Sequence, residues 1–187
     1  MTTKFTDLML DTETAGMPPN GALLSIGAIF FDLDSQTTGP TLQQTIHLGS
    51  AVSDGGTMDP GTFIFWLGQS DEARKAVRFG GQHIHTVLQN LSDFILETCR
   101  HEDVRIWANS PNFDLAILGG AYDRAGIKRP WNWSRERDFR TVRRMYPMVE
   151  YTYKDKGSDA HEALGDAKFQ VDHLLKIKNH VTKGKTK

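Results

Sequence analysis

Apolar residues fall along the chain in two kinds of run. The first kind is short and continuous. Leu8 to Thr12 climbs out of a polar N-terminus, and ALLSIGAIFFDL, Ala22 to Leu33, is apolar over most of its length. Such runs mark strands buried on both faces. Gln43 to Leu48 reads as a third strand and VRIWA, Val104 to Ala108, as a fourth. Short loops separate the first three, among them the turn-rich GMPPNG from Gly16 to Gly21, which predicts an antiparallel meander. The second kind of run repeats every three or four residues. Ile84, Val87, Leu88, Leu91, Phe94, Ile95 and Cys99 form one stripe of a helix, and Leu164, Ala167, Val171, Leu174 and Leu175 form another over Ala163 to Lys178.

Capping signals add the shorter helices. Asp59-Pro60 and Ser110-Pro111 each place a capping side chain before a proline suited to the first helical position. The second of these helices is expected to end near Gly126. Asp71 to Val77 and Arg140 to Met145 read as two more. From Lys176 to Lys187 the chain carries five lysines, with little apolar content after Val181, so it is expected to fray. The reading is one domain over residues 1–187, with an ordered core to about residue 178 and a lysine-rich tail over 179–187. Three early strands followed by strands alternating with helices imply an α/β class, a mixed sheet covered by helices.

Composition narrows the class. The 187 residues are 39% hydrophobic and 24% charged, as expected for one soluble globular domain. No apolar run approaches the roughly 18–20 residues of a membrane span, and the opening MTTKFTD lacks the apolar stretch of a signal peptide. The single cysteine, Cys99, excludes an internal disulfide and suits a reducing cytoplasm; its neighbours Ile95 and Leu96 predict a buried, inert thiol. A net charge of −1 argues against a protein that coats nucleic acid through a global positive field. It leaves room for an enzyme that grips one strand end.

Acids stand where apolar segments end. Asp11 and Glu13 are two apart on a strand, so both side chains point to one side. A solvated strand end accounts for this pair equally well when it is read alone. Asp114 falls in the first turn of the helix after Ser110-Pro111, where the helix dipole favours any anion, and Asn109 and Asn112 serve as cap or turn residues. In SDAHEALGDAKFQ, His161 and Asp166 lie five apart, about 140° around a helix, so one site can use both only if His161 comes from the loop or helix start. Four converging carboxylates without a cation would repel one another. Two hard divalent ions remove that conflict, because Mg²⁺ and Mn²⁺ take oxygen ligands.

With these elements in order, the sequence resembles the DEDDh exonuclease superfamily, the ribonuclease T and proofreading-exonuclease group, from about Leu8 to Leu175. The D-x-E-T element is matched by Asp11, Glu13 and Thr14, N-x₃-F-D by Asn109, Phe113 and Asp114, and H-x₄-D-A by His161, Asp166 and Ala167. FWLGQSDEAR, Phe65 to Arg74, and RDFRT, Arg137 to Thr141, resemble the small exoribonuclease-like branch of bacteria and phages. Gly165 before Asp166 departs from relatives that carry a polar residue there. The resemblance implies a ribonuclease H-like fold with a mixed five-stranded sheet flanked by α-helices. It also implies metal-dependent 3′-5′ hydrolysis of nucleic acid to nucleoside 5′-monophosphates in a bacterial or phage-infected cytoplasm. Asp11 is implied to bridge two Mg²⁺ or Mn²⁺ ions about 3.5–4 Å apart, with Glu13 and Asp166 on one ion and Asp114 on the other. His161 is implied to accept the proton of the attacking water. Thr14, Gly16, Met17, Phe65, Trp66, Asn109 and Arg140 are the implied substrate contacts, at the 3′ end of RNA or single-stranded DNA, with RNA favoured.

Other readings stay open on the residues. Phe65 and Trp66 are equally core candidates, and Arg140, Arg143 and Arg144 equally a solvated helix face. The same fold could serve as a catalytically idle nucleic-acid-binding module, or act on very short oligonucleotides, which need little electrostatic track. Relatives form homodimers, so a homodimer is an expectation for which no apolar stripe marks the interface. His83, His85 and His101 are a weak zinc set without a cysteine pair.

Overall fold

In the computed structural model the described residues are 5–78, 80–152 and 162–184. The chain begins with β1 (Asp7–Thr14), β2 (Leu23–Asp32) and β3 (Thr37–Thr45), each antiparallel to the one before. Four helices follow: α1 (Leu48–Ser53), α2 (Pro60–Leu67), α3 (Asp71–Arg78) and α4 (Ile84–Thr98). Then come β4 (Arg105–Ala108), α5 (Asp114–Ala125), β5 (Glu136–Asp138), α6 (Phe139–Met145) and α7 (Ala163–Gly184). The sheet has the order β3-β2-β1-β4-β5, with β4 and β5 parallel to their inner neighbours. This is the expected mixed five-stranded sheet with three antiparallel strands first.

β1 lies at the centre and is buried on both faces. Leu8 and Leu10 point into a core shared with α4 and α5, whereas Met9 points into a second core built from Trp107, Phe139 of α6 and Ala167, Val171 and Leu174 of α7. The two-residue strand period thus assigns even positions of β1 to one helical layer and odd positions to the other. The α4 stripe packs as read: Ile84, Val87, Leu88, Leu91 and Ile95 are buried. Cys99 is buried beyond its end, where burial pushes the thiol up to about 11 and keeps it unreactive. At its start, β1 is anchored by Asp7, which takes Arg105 Nε and Trp107 Nε1 at 2.8 Å each.

Several boundaries differ from the sequence reading. β3 starts at Thr37 rather than Gln43, because an edge strand of polar residues carries no apolar signal. α5 starts at Asp114; the residues after Ser110-Pro111 first make a turn in which Phe113 and Asp114 donate backbone N–H bonds to Ser110 O. Its end is as read, with Gly126 left-handed at φ 66°. Past residue 178 the described chain is still helical. α7 continues to Gly184, held at Lys178 by Asp34 (2.8 Å) and at Asn179 by Gln36 (2.7 Å) from the β2–β3 connection. The zinc set is taken apart: His83 caps the start of α4, His85 meets Asp54 at 2.8 Å, and His101 lies beyond the far end of a 15-residue helix, roughly 22 Å away.

Candidate active site

One row of residues across the sheet organises the site. In register, Asp11 of β1 faces Gly27 of β2, which faces Gln43 of β3. The first turn of α7 rests directly on this row. A Cβ on Gly27 would lie 2.1 Å from the backbone nitrogen of Leu164, so only glycine admits the helix here. Gln43 Oε1 then accepts the Leu164 N–H at 2.9 Å, satisfying one of the free donors of that helix start. The docking brings Asp166, in the first turn of α7, beside Asp11.

The result is a carboxylate cluster. Asp11, Glu13 and Asp166 each offer an oxygen within 4.8 Å of the others. Asp11 and Asp166 are buried and Glu13 is half-buried. Asp114 enters from the opposite helical layer. Its Oδ1 takes two bonds from Thr12, from the backbone N–H at 3.2 Å and from Oγ1 at 2.8 Å. All four acids line one cavity of about 260 Å³ with Thr12, Asn109, Phe113 and Arg140. Gln170, one helical turn beyond Asp166, donates to Asp11 Oδ1 at 2.7 Å.

This crowding is electrostatically costly in the bare protein. Burial, first, and then Asp114, Glu13 and Asp166 hold the Asp11 carboxyl well above the usual carboxylate range, against the Gln170 hydrogen bond. Burial also raises Asp114 to about 6, despite the Thr12 bonds that favour its charged form. Asn109 Oδ1 is buried on the same cavity with no hydrogen-bond partner among the described residues. An all-oxygen donor set, packed closely enough that its neighbours raise the Asp11 carboxyl, fits a hard divalent cation such as Mg²⁺ or Mn²⁺.

A second cavity of about 370 Å³ adjoins the acids, sharing Thr12, Glu13 and Phe113 with the first. Thr14, Met17, Asp59, Gly61, Thr62, Phe65 and Trp66 complete its wall. Met17 and Phe65 are exposed there, whereas Trp66 is buried and its indole N–H donates to Thr14 O at 2.8 Å. Trp66 therefore braces the end of β1 and offers the cavity only part of its ring. Thr14 Oγ1 donates to Gly16 O at 2.9 Å, and a Cβ on Gly16 would fall 2.1 Å from Thr57 O, so this turn is packed tightly beneath the wall. Arg140 lines the acidic cavity from α6 and makes no ion pair among the described residues. His161 lies outside the described residues.

Of the residues singled out from sequence, eleven of twelve are thus described, and they fall into two adjoining cavities or the turn beneath them. Thr12, Gly27, Gln43 and Gln170 also shape the site and are not among those twelve. A glycine inside an apolar strand is a signal of close backbone approach, and Gln170 sits four residues after Asp166, on the same helical face. Thr12 and Gln43 carry no comparable mark.

The model of the 3'-5' exoribonuclease Rv2179c-like domain family matches residues 6–178. No curated protein matches the chain in sequence. Among solved structures, E. coli exonuclease I in complex with a dT13 oligonucleotide is similar with a TM-score of 0.71 and 17% identity, over 96% of this chain and 42% of that one. The nuclease domain of 3'hExo, a DEDDh family member bound to rAMP, gives 0.62 and 9% identity over 96% and 95%. A full-length 3'-exonuclease gives 0.60 and 12% over 94% and 83%. The chain spans about two fifths of the length of exonuclease I. Identities this low establish a shared fold, the ribonuclease H-like exonuclease fold.

Proposed function

The chain belongs to the Rv2179c-like 3'-5' exoribonuclease domain family, and on that premise we propose that it trims RNA from the 3′ end to nucleoside 5′-monophosphates, with two divalent cations held by Asp11, Glu13, Asp114 and Asp166. The observation that carries this reading is the convergence of three carboxylates within 4.8 Å, two of them buried, from segments more than 150 residues apart. Bound Mg²⁺ or Mn²⁺ supplies an acidified water and neutralises charge on the leaving oxygen. Everything else is the work of the chain. Asp11, which feels the charge of all three other acids, would be the ligand shared by the cations, and Asp114, from the opposite layer, would hold the second of them. Arg140, a cation on the wall of an anionic cavity, takes a phosphate of the incoming strand. Met17, Phe65 and Phe113 form an apolar wall for the terminal nucleoside, where stacking on an aromatic ring contributes roughly 1–3 kcal/mol. His161, five residues before Asp166, accepts the proton of the attacking water as general base.

The net charge of −1 favours short substrates as a second reading, since a dinucleotide needs no extended basic track. Digestion of 3′-labelled and 5′-labelled RNA and single-stranded DNA with Mg²⁺, Mn²⁺ or EDTA tests both. A descending ladder from 5′-labelled RNA, immediate release of a labelled mononucleotide from 3′-labelled RNA, and silence in EDTA are expected. Internal cuts, or no shortening of any strand with either metal, would refute the exonuclease reading. Faster turnover of dimers than of long strands would select the short-substrate form.

A further inference from the structure

We propose that Gln170 is a positioning residue, which sets the orientation of the Asp11 carboxylate for the cation. This rests on the metal-dependent reading above. The terminal torsion of an aspartate is broad and roughly two-fold, so packing alone leaves the plane of its carboxylate poorly defined. One donor at 2.7 Å on Oδ1 fixes that plane, in a cluster where an Asp11 oxygen lies within 4.8 Å of oxygens of Glu13 and Asp166.

The lever that carries the donor is rigid. Gln170 follows Asp166 by one turn of α7, and Ala167 and Val171 beside it are fully buried against the sheet. The start of that helix is seated on Gly27, directly across from Asp11, and is held by Gln43. Successive turns of one helix thus deliver a ligand, Asp166, and a brace for another ligand, Asp11.

A packing role does not explain the residue. Gln170 is 2% exposed, and its Oε1 is buried with no hydrogen-bond partner among the described residues. A buried amide oxygen left unpaired costs fold stability, and a methionine or leucine would fill the same space without that cost. The amide is retained where its N–H reaches a single acceptor, and that acceptor is the acid at the centre of the cluster.

The test compares wild type with Gln170→Met, which keeps the length and loses the donor, and Gln170→Asn, which keeps the amide and loses the reach. Mn²⁺ is titrated calorimetrically into each full-length, EDTA-treated protein, thermal melting is followed in EDTA, and activity is recorded against Mn²⁺ concentration. Both variants are expected to bind Mn²⁺ about 10-fold more weakly or worse. The Mn²⁺ concentration for half-maximal activity should rise by the same factor, while Gln170→Met melts at or above the wild-type temperature. Mn²⁺ affinity equal to wild type in both variants overturns the proposal. So does a loss of folding in both, which makes Gln170 structural. If wild type itself takes up no Mn²⁺, the metal-dependent reading fails; if wild type binds and the variants bind equally, only the role of Gln170 fails.

Discussion

Asp114→Asn should stabilise the metal-free protein while disabling its site. The carboxyl of Asp114 titrates at about 6 in the fold against 3.8 ordinarily. At about 1.36 kcal/mol per pH unit, the fold therefore prefers the neutral form by about 3 kcal/mol. Because the folded pKa is raised, this contribution is complete below about pH 4 and is lost as pH rises through about 6. Near pH 8 wild type has lost all of it, whereas at pH 5 it keeps a little over 1 kcal/mol. An asparagine holds the neutral shape at every pH, and its Oδ1 still accepts both Thr12 bonds. In EDTA at pH 8 the variant should be up to about 3 kcal/mol more stable, roughly 6–12 °C in Tm for a domain of this size; at pH 5 the gain should be about half as large. Adding Mn²⁺ should reverse the order, since only wild type gains from binding the ligand in its folded state. Urea titration and thermal melting at both pH values, with EDTA and with Mn²⁺, give the comparison. A variant less stable than wild type in EDTA at pH 8, or a gain no larger there than at pH 5, would show that the acids do not strain the fold.

Four further outcomes are expected. Gly27→Ala drives a methyl into the backbone of α7, so Mn²⁺ affinity should fall at least about 10-fold and stability by about 1–3 kcal/mol; calorimetry and melting check both. Arg140→Ala should raise KM for RNA by about 10-fold or more, the value of one charge-assisted hydrogen bond, with Mn²⁺ affinity intact; an unchanged KM would return Arg140 to a solvated face. Asp7→Ala strips partners from Arg105 and from the Trp107 indole and should cost about 2–3 kcal/mol in urea unfolding, discounted for the part-exposed arginine, with metal binding unchanged. His161→Ala should lose activity by orders of magnitude while calorimetry still records wild-type Mn²⁺ affinity; near-normal turnover would remove His161 from the reaction.

What the sequence disclosed follows from how each feature writes itself into residues. The α4 stripe and the two long inner strands are visible because burying one helical face, or both strand faces, demands apolar residues at a fixed period. The acids are visible because charge at the end of an apolar run is unexpected. β5, with three half-exposed residues Glu136, Arg137 and Asp138, has no such period and pairs only through its backbone with β4. The six-residue α1, capped by the side chain of His47, is as silent. The stretch of α7 past residue 178 carries no helical signal because lysines read locally as solvated, whereas Lys178 finds Asp34 only in three dimensions. The same holds inside the site: no local rule shows that Thr12 will hold Asp114, 102 residues away.

The Thr12 contact also explains how a charge enters the centre of a sheet. β4 pairs with β1 only from Asp7 to Met9, then ends at Ala108. Beyond that point the β4 side of β1 has lost its neighbour, and its donors need a new acceptor. Asp114 provides it: the Thr12 N–H that a longer β4 would have taken goes to a carboxylate instead. The early end of β4 is what opens the gap, and the turn from Ser110 to Phe113 is what turns the start of α5 into it. On the other face, Gly27 lets α7 descend onto the same stretch of β1. Two helix starts therefore converge on the carboxyl end of a central strand, each favouring an anion in its first turn, and Asp114 settles where the ladder stops because a backbone donor remains there to receive it.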